Sequence, residues 1–422
     1  MGITFFILFV LCVLSVPIVF SIGLAVFGGI LAAGNIPLEV IPQRMFTQID
    51  SFAMLAIPFF ILAGNLMDKG GISQKIVNFA SQLVGFIRGG LAMVMVVACM
   101  IFGSVSGSGA AASAAMGSIL IPAMSEKGYD KKFSAALTAT SGPLGIIIPP
   151  SIVMVVYSTV ANVSVGKMFL AGYIPGIIIG LSLMIVSYIH AIRNNYPAGQ
   201  KPSLKSFLKS LGEAIWAILM VVIIMGGILS GYFTATEASV VAVFYALIVG
   251  MFVYKGLKLN DLPNIILKSS YTTAAIMFCC ATTNALAWLL TSEQVIAKIS
   301  NSILGIAGSK VAFLLIANFI FLFLGMILDS TPAILLAIPI LLPAAKQLGI
   351  DPVHFGIITT VNLAIGMSTP PVGITLFTAS SIAKTSVSDL VKPLIPMWIA
   401  MIAFLMIITY IPQISLFLPS IF

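Results

Sequence analysis

From Ile3 to Phe20 the chain reads ITFFILFVLCVLSVPIVF, with no charge and no apolar–polar alternation. A membrane β-strand alternates with period two, so a continuous apolar run of this length belongs to a helix that satisfies its own backbone inside lipid. Similar runs recur at 51–67, 168–192, 214–234, 236–254, 269–290 and 393–411. Composition agrees: of 422 residues, 60% are apolar and 8% charged, whereas a soluble domain carries roughly a quarter charged residues. The fold class is an all-α polytopic membrane protein. The N-terminus has no cationic region and no small-residue cleavage site, so the first run is expected to be a retained helix.

Several chemistries are excluded early. Cys12, Cys99, Cys279 and Cys280 sit in apolar runs without CxxC spacing and read as packing residues, not as a disulfide or transition-metal site. The net charge of +8 is not gathered into a basic, aromatic-interleaved run, so no nucleic-acid partner is expected and the excess reads as a topology signal. No phosphate-binding loop, His-Glu zinc pair or G-x-S-x-G elbow is present. The chain is therefore expected to be neither an ATPase nor an enzyme.

Two apolar segments, 89–124 and 310–345, exceed one span and are interrupted at GSVSGSG and LDSTP. A span needs ~20 residues, so both are read as re-entrant hairpins. With the N-terminus inside, and 3–33 counted as one crossing, that threading puts 15 Lys and Arg residues on the cytoplasmic face. Five remain outside: Arg44, Lys167, Lys298, Lys310 and Lys346. This is the positive-inside asymmetry, and it leaves the C-terminus outside.

The chain also repeats itself. A shift of 221 residues superposes Pro122 on Pro343, Gly128 on Gly349, Asp130 on Asp351, Gly145 on Gly366, Pro149 on Pro370, Pro150 on Pro371 and Pro175 on Pro396. In the threading above, Asp130 is cytoplasmic and Asp351 external, so the two repeats are inverted in the membrane. Each holds a hairpin followed by a broken helix. Secondary transporters are built this way, with the site near the midplane at the interruptions.

The chemistry is expected at those interruptions. In the first repeat, the tip at 103–116 carries Ser104, Ser106 and Ser108 between glycines, and SGPLGIIIPP (141–150) breaks the following helix. Prolines 149 and 150 cannot donate to the helix ladder, and the carbonyls they free would suit a small hard cation. Ala110–Ala115 reads as close packing. In the second repeat, Asp329 is the only acidic residue this threading leaves deep in the membrane, with no Lys or Arg at equivalent depth. A cation ligand is the favoured reading, and a protonation site or a helix N-cap remains open. Asn362, Ser368 and Thr369 add oxygens beside Pro370 and Pro371. An all-oxygen set suits Na⁺ better than a transition metal.

The strings AMLAIPFFILAGNLM (53–67), GGLAMVMVVACMIFGSVSGSGAA (89–111), IPAMSEKGYD (121–130), GYFTATEAS (231–239), LDSTPAILLAIPILLPAAKQLGIDPVHFG (328–356) and NLAIGMSTPPVG (362–373) resemble the large membrane subunit of tripartite ATP-independent periplasmic (TRAP) transporters. The resemblance runs from about residue 50 to residue 396. Two mild departures stand out: Ala235 where the family often has Pro, and Ser330 where it often has Thr.

The resemblance implies a Na⁺-coupled importer of the bacterial inner membrane, working as an elevator whose hairpins and broken helices move as one block against a scaffold. It implies a carboxylate solute, sialic acid or a C4-dicarboxylate. It implies two partners: a small four-helix membrane subunit, expected as a separate chain, and a periplasmic substrate-binding protein. No organic cofactor is expected, only Na⁺ as coupling ion.

Carried over by position, a first Na⁺ site comprises Ser104, Ser106, Ser108, Ser141, Gly142 and Gly145. A second comprises Asp329, Ser330, Thr331, Gly366, Met367 and Thr369. The solute contacts are Ser106, Gly107, Ser108, Pro149, Asn362 and Ser368. Domain organisation follows: scaffold 1–88, first transport segment 89–160, scaffold 161–309 with an inner loop at 193–213, second transport segment 310–383, and a C-terminal scaffold helix in 384–422. Glu237 is expected to brace scaffold helices, and Lys201, Lys205 and Lys209 to lie at the anionic lipid surface. A stand-alone carboxylate or ion transporter driven by Na⁺ or H⁺, without a binding protein, remains the alternative.

Overall fold

The computed structural model describes residues 2–14, 16–34, 36–199 and 201–422. Among these, eight helices are long and apolar enough to cross a bilayer, and a ninth span is a bent pair. The chain opens with α1 (Gly2–Val13), α2 (Ile18–Ala33), α3 (Val40–Ile49), α4 (Ala56–Lys69) and α5 (Ile72–Val84). The run expected as one crossing over 3–33 is instead two helices. Pro17 stands as the N-cap residue of α2, and α1 folds back so that Thr4 and Ile7 lie against Gly29 and Gly28. Proline ends the ladder there, which hydropathy alone does not register.

The first repeat follows as α6 (Gly90–Ser106), α7 (Gly109–Glu126), α8 (Lys131–Ser141), the single turn α9 (Leu144–Ile147), α10 (Ile152–Ala161) and α11 (Val165–Arg193). Next come α12 (Leu204–Leu229), α13 (Ala235–Ile248), α14 (Leu262–Ser292) and α15 (Val295–Ala307). The second repeat is α16 (Lys310–Ile327), α17 (Ser330–Gln347), α18 (Pro352–Gly366), α19 (Ile374–Ala383), α20 (Val387–Tyr410) and α21 (Gln413–Ile421). The 221-residue shift maps Gly109–Glu126 onto Ser330–Gln347, the bounds of α7 and α17. The caps follow the same frame. Asp130 accepts from Lys132 N, and Asp351 from Val353 N and His354 N; Gly128 and Gly349 both take positive φ.

The repeats interlock. Helix α10, the second half of one broken helix, packs on α17, and α19, its counterpart, packs on α7. Helix α11 lies against α6, α8, α9, α18, α20 and α21, while α20 lies against α8, α11 and α18. Packing therefore joins 165–193 and 387–421 to the hairpins, unlike the partition expected from sequence. A long apolar helix declares that it crosses lipid, but not which neighbours it keeps. The remaining helices form a second group: α4 with α13, α14 with α2, α3 and α4, and α12 with α5 and α13. The groups meet where α4 and α5 touch α6, and where α14 and α15 touch α17.

In the second group, Glu237 completes a capping box at the start of α13. Its carboxylate accepts from Thr234 N at 2.8 Å, and Thr234 Oγ1 accepts from Glu237 N at 3.2 Å. Its role as a brace is local. Cys99, Cys279 and Cys280 are buried and Cys12 is exposed.

Candidate functional site

Both hairpin tips reach one cavity of about 420 Å³. Its lining takes Ser106 to Ala111 from the first tip, Asp329 to Thr331 from the second, and Ile146, Ile152 and Met367 from the two breaks. Asn65, Asp68, Lys268 and Thr272 come from α4 and α14. A further opening lined by Asp68, Gln74, Ala115 and Ser118 continues along α7. A separate cavity of about 380 Å³ lies along the other half of α14, between Cys280 and Ala287, and reaches along α17 to Lys346. The two vestibules thus lie along opposite halves of α14, one beside α7 and one beside its repeat counterpart α17.

The tip of the first hairpin turns at Gly107, whose φ of 64° suits a residue without Cβ. Ser108 caps α7, accepting from Ala111 N at 3.4 Å. The second tip turns at Leu328 and Asp329, and Asp329 caps α17, accepting from Ser330 N at 2.7 Å. Behind each tip, hairpin and broken helix touch backbone to backbone. A Cβ at Gly103 would collide with Gly145, and one at Gly366 with Gly325. Gly145 and Gly366 are repeat equivalents, and Gly325 stands one residue beyond the position equivalent to Gly103.

The expectation that proline frees carbonyls for a cation is corrected in its detail. Ser151 Oγ donates to Ile146 O at 2.7 Å. Ser368 Oγ and Thr369 Oγ1 each donate to Ile365 O at 2.8 Å. Thr375 Oγ1 lies 2.8 Å from both Met367 O and Ala139 O, tying the two repeats together. Nearby hydroxyls and turns thus take up several of these carbonyls. What remains without a partner is side-chain oxygen: Ser141 Oγ, Asn362 Oδ1 and Ser330 Oγ are buried and unpaired. Residues 141 and 362 are repeat equivalents. An unpaired buried polar atom is costly, so three such oxygens at the interruptions fit a small hard cation.

Of the residues singled out from sequence, Ser106, Gly107, Ser108, Asp329, Ser330, Thr331 and Met367 line the cavity. Ser104 donates to Ile101 O at 2.7 Å and is buried behind the tip. Ser141, Gly142 and Gly145 are buried at the first break, and Gly366 and Thr369 stand at the second. Pro149, Asn362 and Ser368, expected as solute contacts, are buried and lie off the cavity lining. In this structure their place is behind the tips.

Asp329 is exposed to the cavity. Lys268 lines the same space, although no ion pair joins them among the described residues. The sequence reading treated α4 and α14 as plain spans and missed Asn65, Asp68, Lys268 and Thr272. The available signal was the hydroxyl-rich stretch KSSYTT (268–273), out of place at the head of an apolar run. Asn65 Nδ2 donates to Ser269 Oγ at 2.8 Å and fixes that wall.

Residues 5–414 match the family model described as "Tripartite ATP-independent periplasmic transporter, DctM component". The chain belongs to this family. It is 43% identical to the C4-dicarboxylate TRAP transporter large permease protein DctM of Pseudomonas aeruginosa, over 89% of this chain and 88% of that one. It is 42% identical to the isethionate TRAP transporter permease protein DctMQ of Oleidesulfovibrio alaskensis, over 96% of this chain but only 64% of that longer protein. It is 36% identical to the sialic acid TRAP transporter large permease protein SiaM of Vibrio cholerae, over 97% and 96%. Among solved structures, the YdaH transporter of Alcanivorax borkumensis superposes with a TM-score of 0.65 at 12% identity over 88% of each chain, a likeness of fold. This TRAP permease chain is a multi-pass membrane transporter protein, and its hairpins and breaks are where its sequence and fold converge.

Proposed function

We propose that this chain is the large membrane subunit of a Na⁺-coupled importer of small organic anions in the bacterial inner membrane. A small four-helix membrane subunit and a periplasmic binding protein would complete the assembly. The observation that carries the reading is the convergence of both tips and both breaks on one cavity, with unpaired oxygens of Ser141 and Asn362 at equivalent places behind it. One ion belongs with Ser104, Ser106 and the Ser141–Gly145 break. A second belongs with Asp329, Ser330, Thr331, the Gly366–Thr369 turn and the free Asn362 Oδ1.

The solute is held at the tips by Ser106, the Gly107 backbone and the Ser108 hydroxyl, with bound Na⁺ and the starts of α7 and α17 offsetting its charge. Lys268 adds a positive charge on the opposite wall. Relatives named for isethionate and C4-dicarboxylates are 42% and 43% identical, against 36% for the Vibrio cholerae sialic acid protein. The C4-dicarboxylate protein of Rhodobacter capsulatus and the sialic acid protein of Haemophilus influenzae are both 38% identical, so the choice of solute is left to the uptake test. Alternating access follows from the two vestibules, which exchange when the block of hairpins and broken helices slides past the second helix group.

The test is uptake into proteoliposomes holding this chain and a small TRAP subunit. A C4-dicarboxylate, isethionate and sialic acid are supplied separately, with and without a cognate binding protein. Uptake that needs both an inward Na⁺ gradient and the binding protein supports the proposal. Equal uptake in choline chloride overturns Na⁺ coupling, and uptake without the binding protein points to a stand-alone carrier.

A further inference from the structure

Asn362 carries one of the unpaired oxygens, and its orientation is dictated by neighbours that the sequence did not single out. Its Nδ2 donates to Ile358 O at 2.7 Å and to Asn318 Oδ1 at 2.6 Å. A backbone carbonyl only accepts, so the nitrogen must face Ile358 and both of its protons are used. Asn318 is oriented in turn, because only its Oδ1 can accept from Asn362 Nδ2; its Nδ2 then lies 3.2 Å from Thr409 Oγ1. Asn362, Asn318 and Thr409 are 0%, 2% and 1% exposed. The rail therefore runs through the interior from α20 through α16 to α18, and Asn362 Oδ1 is the atom it leaves free.

We infer that Asn318 is a positioning residue for the second ion site: with Thr409, it locks the Asn362 amide so that oxygen, not nitrogen, is presented to a cation. This rests on the Na⁺ reading above. Without Asn318, Ile358 O alone restrains the amide, and excursions that present its NH₂ repel the ion; the second hydrogen bond suppresses them. The repeats differ here, since the 221-residue frame puts Val97 where Asn318 stands, and Ser141 has no corresponding amide. The rail tunes one site and leaves the other alone.

The test needs neither solute nor partners. The purified full chain in detergent is melted across a NaCl series balanced with choline chloride, and the half-saturating Na⁺ for thermal protection is read for wild type, Asn318→Ala and Thr409→Val. Second-sphere partners of a bound ion change its affinity by ~10-fold or more, so Asn318→Ala is expected to raise half-saturation about tenfold. Thr409→Val, which only loosens Asn318, should raise it about two- to threefold. A purely structural rail would lower the melting temperature in choline chloride and leave half-saturation unchanged, which overturns the inference. If Asn318→Ala does not fold, Thr409→Val decides on the same criterion. A wild-type protein that Na⁺ does not protect overturns the Na⁺ reading itself, a result separate from unchanged variants beside a responsive wild type.

Discussion

Asp329 does two things that one residue rarely needs to do together. It caps α17 through Ser330 N and exposes a carboxylate to the cavity. Its repeat counterpart Ser108 caps α7 without a charge, so capping alone does not call for aspartate. Asp329→Ser separates the roles. Serine is about as good an N-cap as aspartate, so stability should change by less than ~0.5 kcal/mol. If the carboxylate holds Na⁺, half-saturating Na⁺ should rise by at least about tenfold in the same melting assay. An unchanged Na⁺ response would leave Asp329 as a cap only. The glycine pairs make a second argument at this scale. Gly366→Ala places a methyl against the Gly325 backbone and is expected to cost about 1–3 kcal/mol. Gly226→Ala, with nothing within 4 Å, should be neutral or stabilising by up to ~1 kcal/mol in the same host. Thermal melts of both variants check the contrast, which tests close approach rather than glycine as such.

At the scale of elements, α7 and α17 have equal length and equivalent caps, yet they line opposite vestibules. Ser118 on α7 borders the opening that holds Gln74, and Lys346 on α17 borders the one that holds Gln48. Inverted repeats require this, because related helices must present the same face to opposite sides of the membrane. In a Cys12→Ser background, Ser118→Cys should react with a membrane-impermeant thiol reagent from one side only, and Lys346→Cys only from the other. Labelling of both from one side would contradict inversion. Much of this was legible beforehand. The spacing of Gly128, Asp130, Pro149 and Pro150 against Gly349, Asp351, Pro370 and Pro371 is a local property of turns, caps and breaks, and it carried over to matching helix bounds. The doubling of 3–33 into α1 and α2 was not anticipated, although Pro17 stood in plain view. A hydropathy window averages across a single proline, while the backbone cannot.

The whole molecule is two helix groups with the cavity partly at their junction. Hairpins, broken helices, α11, α20 and α21 make one group, and α2–α5 with α12–α14 make the other. Their junction supplies walls of unlike character: hydroxyls, a carboxylate and backbone from the first, and Asn65, Asp68, Lys268 and Thr272 from the second. The three ion pairs, Lys69–Asp261, Lys75–Glu213 and Lys132–Asp389, use residues partly or well exposed to solvent. Solvent screens such exposed pairs, so the fold does not rest on them. It rests on a core running through both groups and a smaller cluster of Ile22, Val26, Ile30, Leu286 and Leu289 between α2 and α14.

By itself the sequence determined what local chemistry can encode. Apolar runs dictate helices in lipid, glycine and proline dictate where those helices turn or break, and the repeat of such residues dictates two copies of one motif. Tertiary structure alone decided which helices keep company, that α11 and α20 join the hairpins, and that Lys268 shares a cavity with Asp329. It also decided that Asn362 lies buried behind the tips, joined to Asn318 and through it to Thr409. The bonds from Asn362 to Asn318 and from Asn318 to Thr409 join residues 44 and 91 positions apart, and no local propensity records which distant side chain will complete a hydrogen bond.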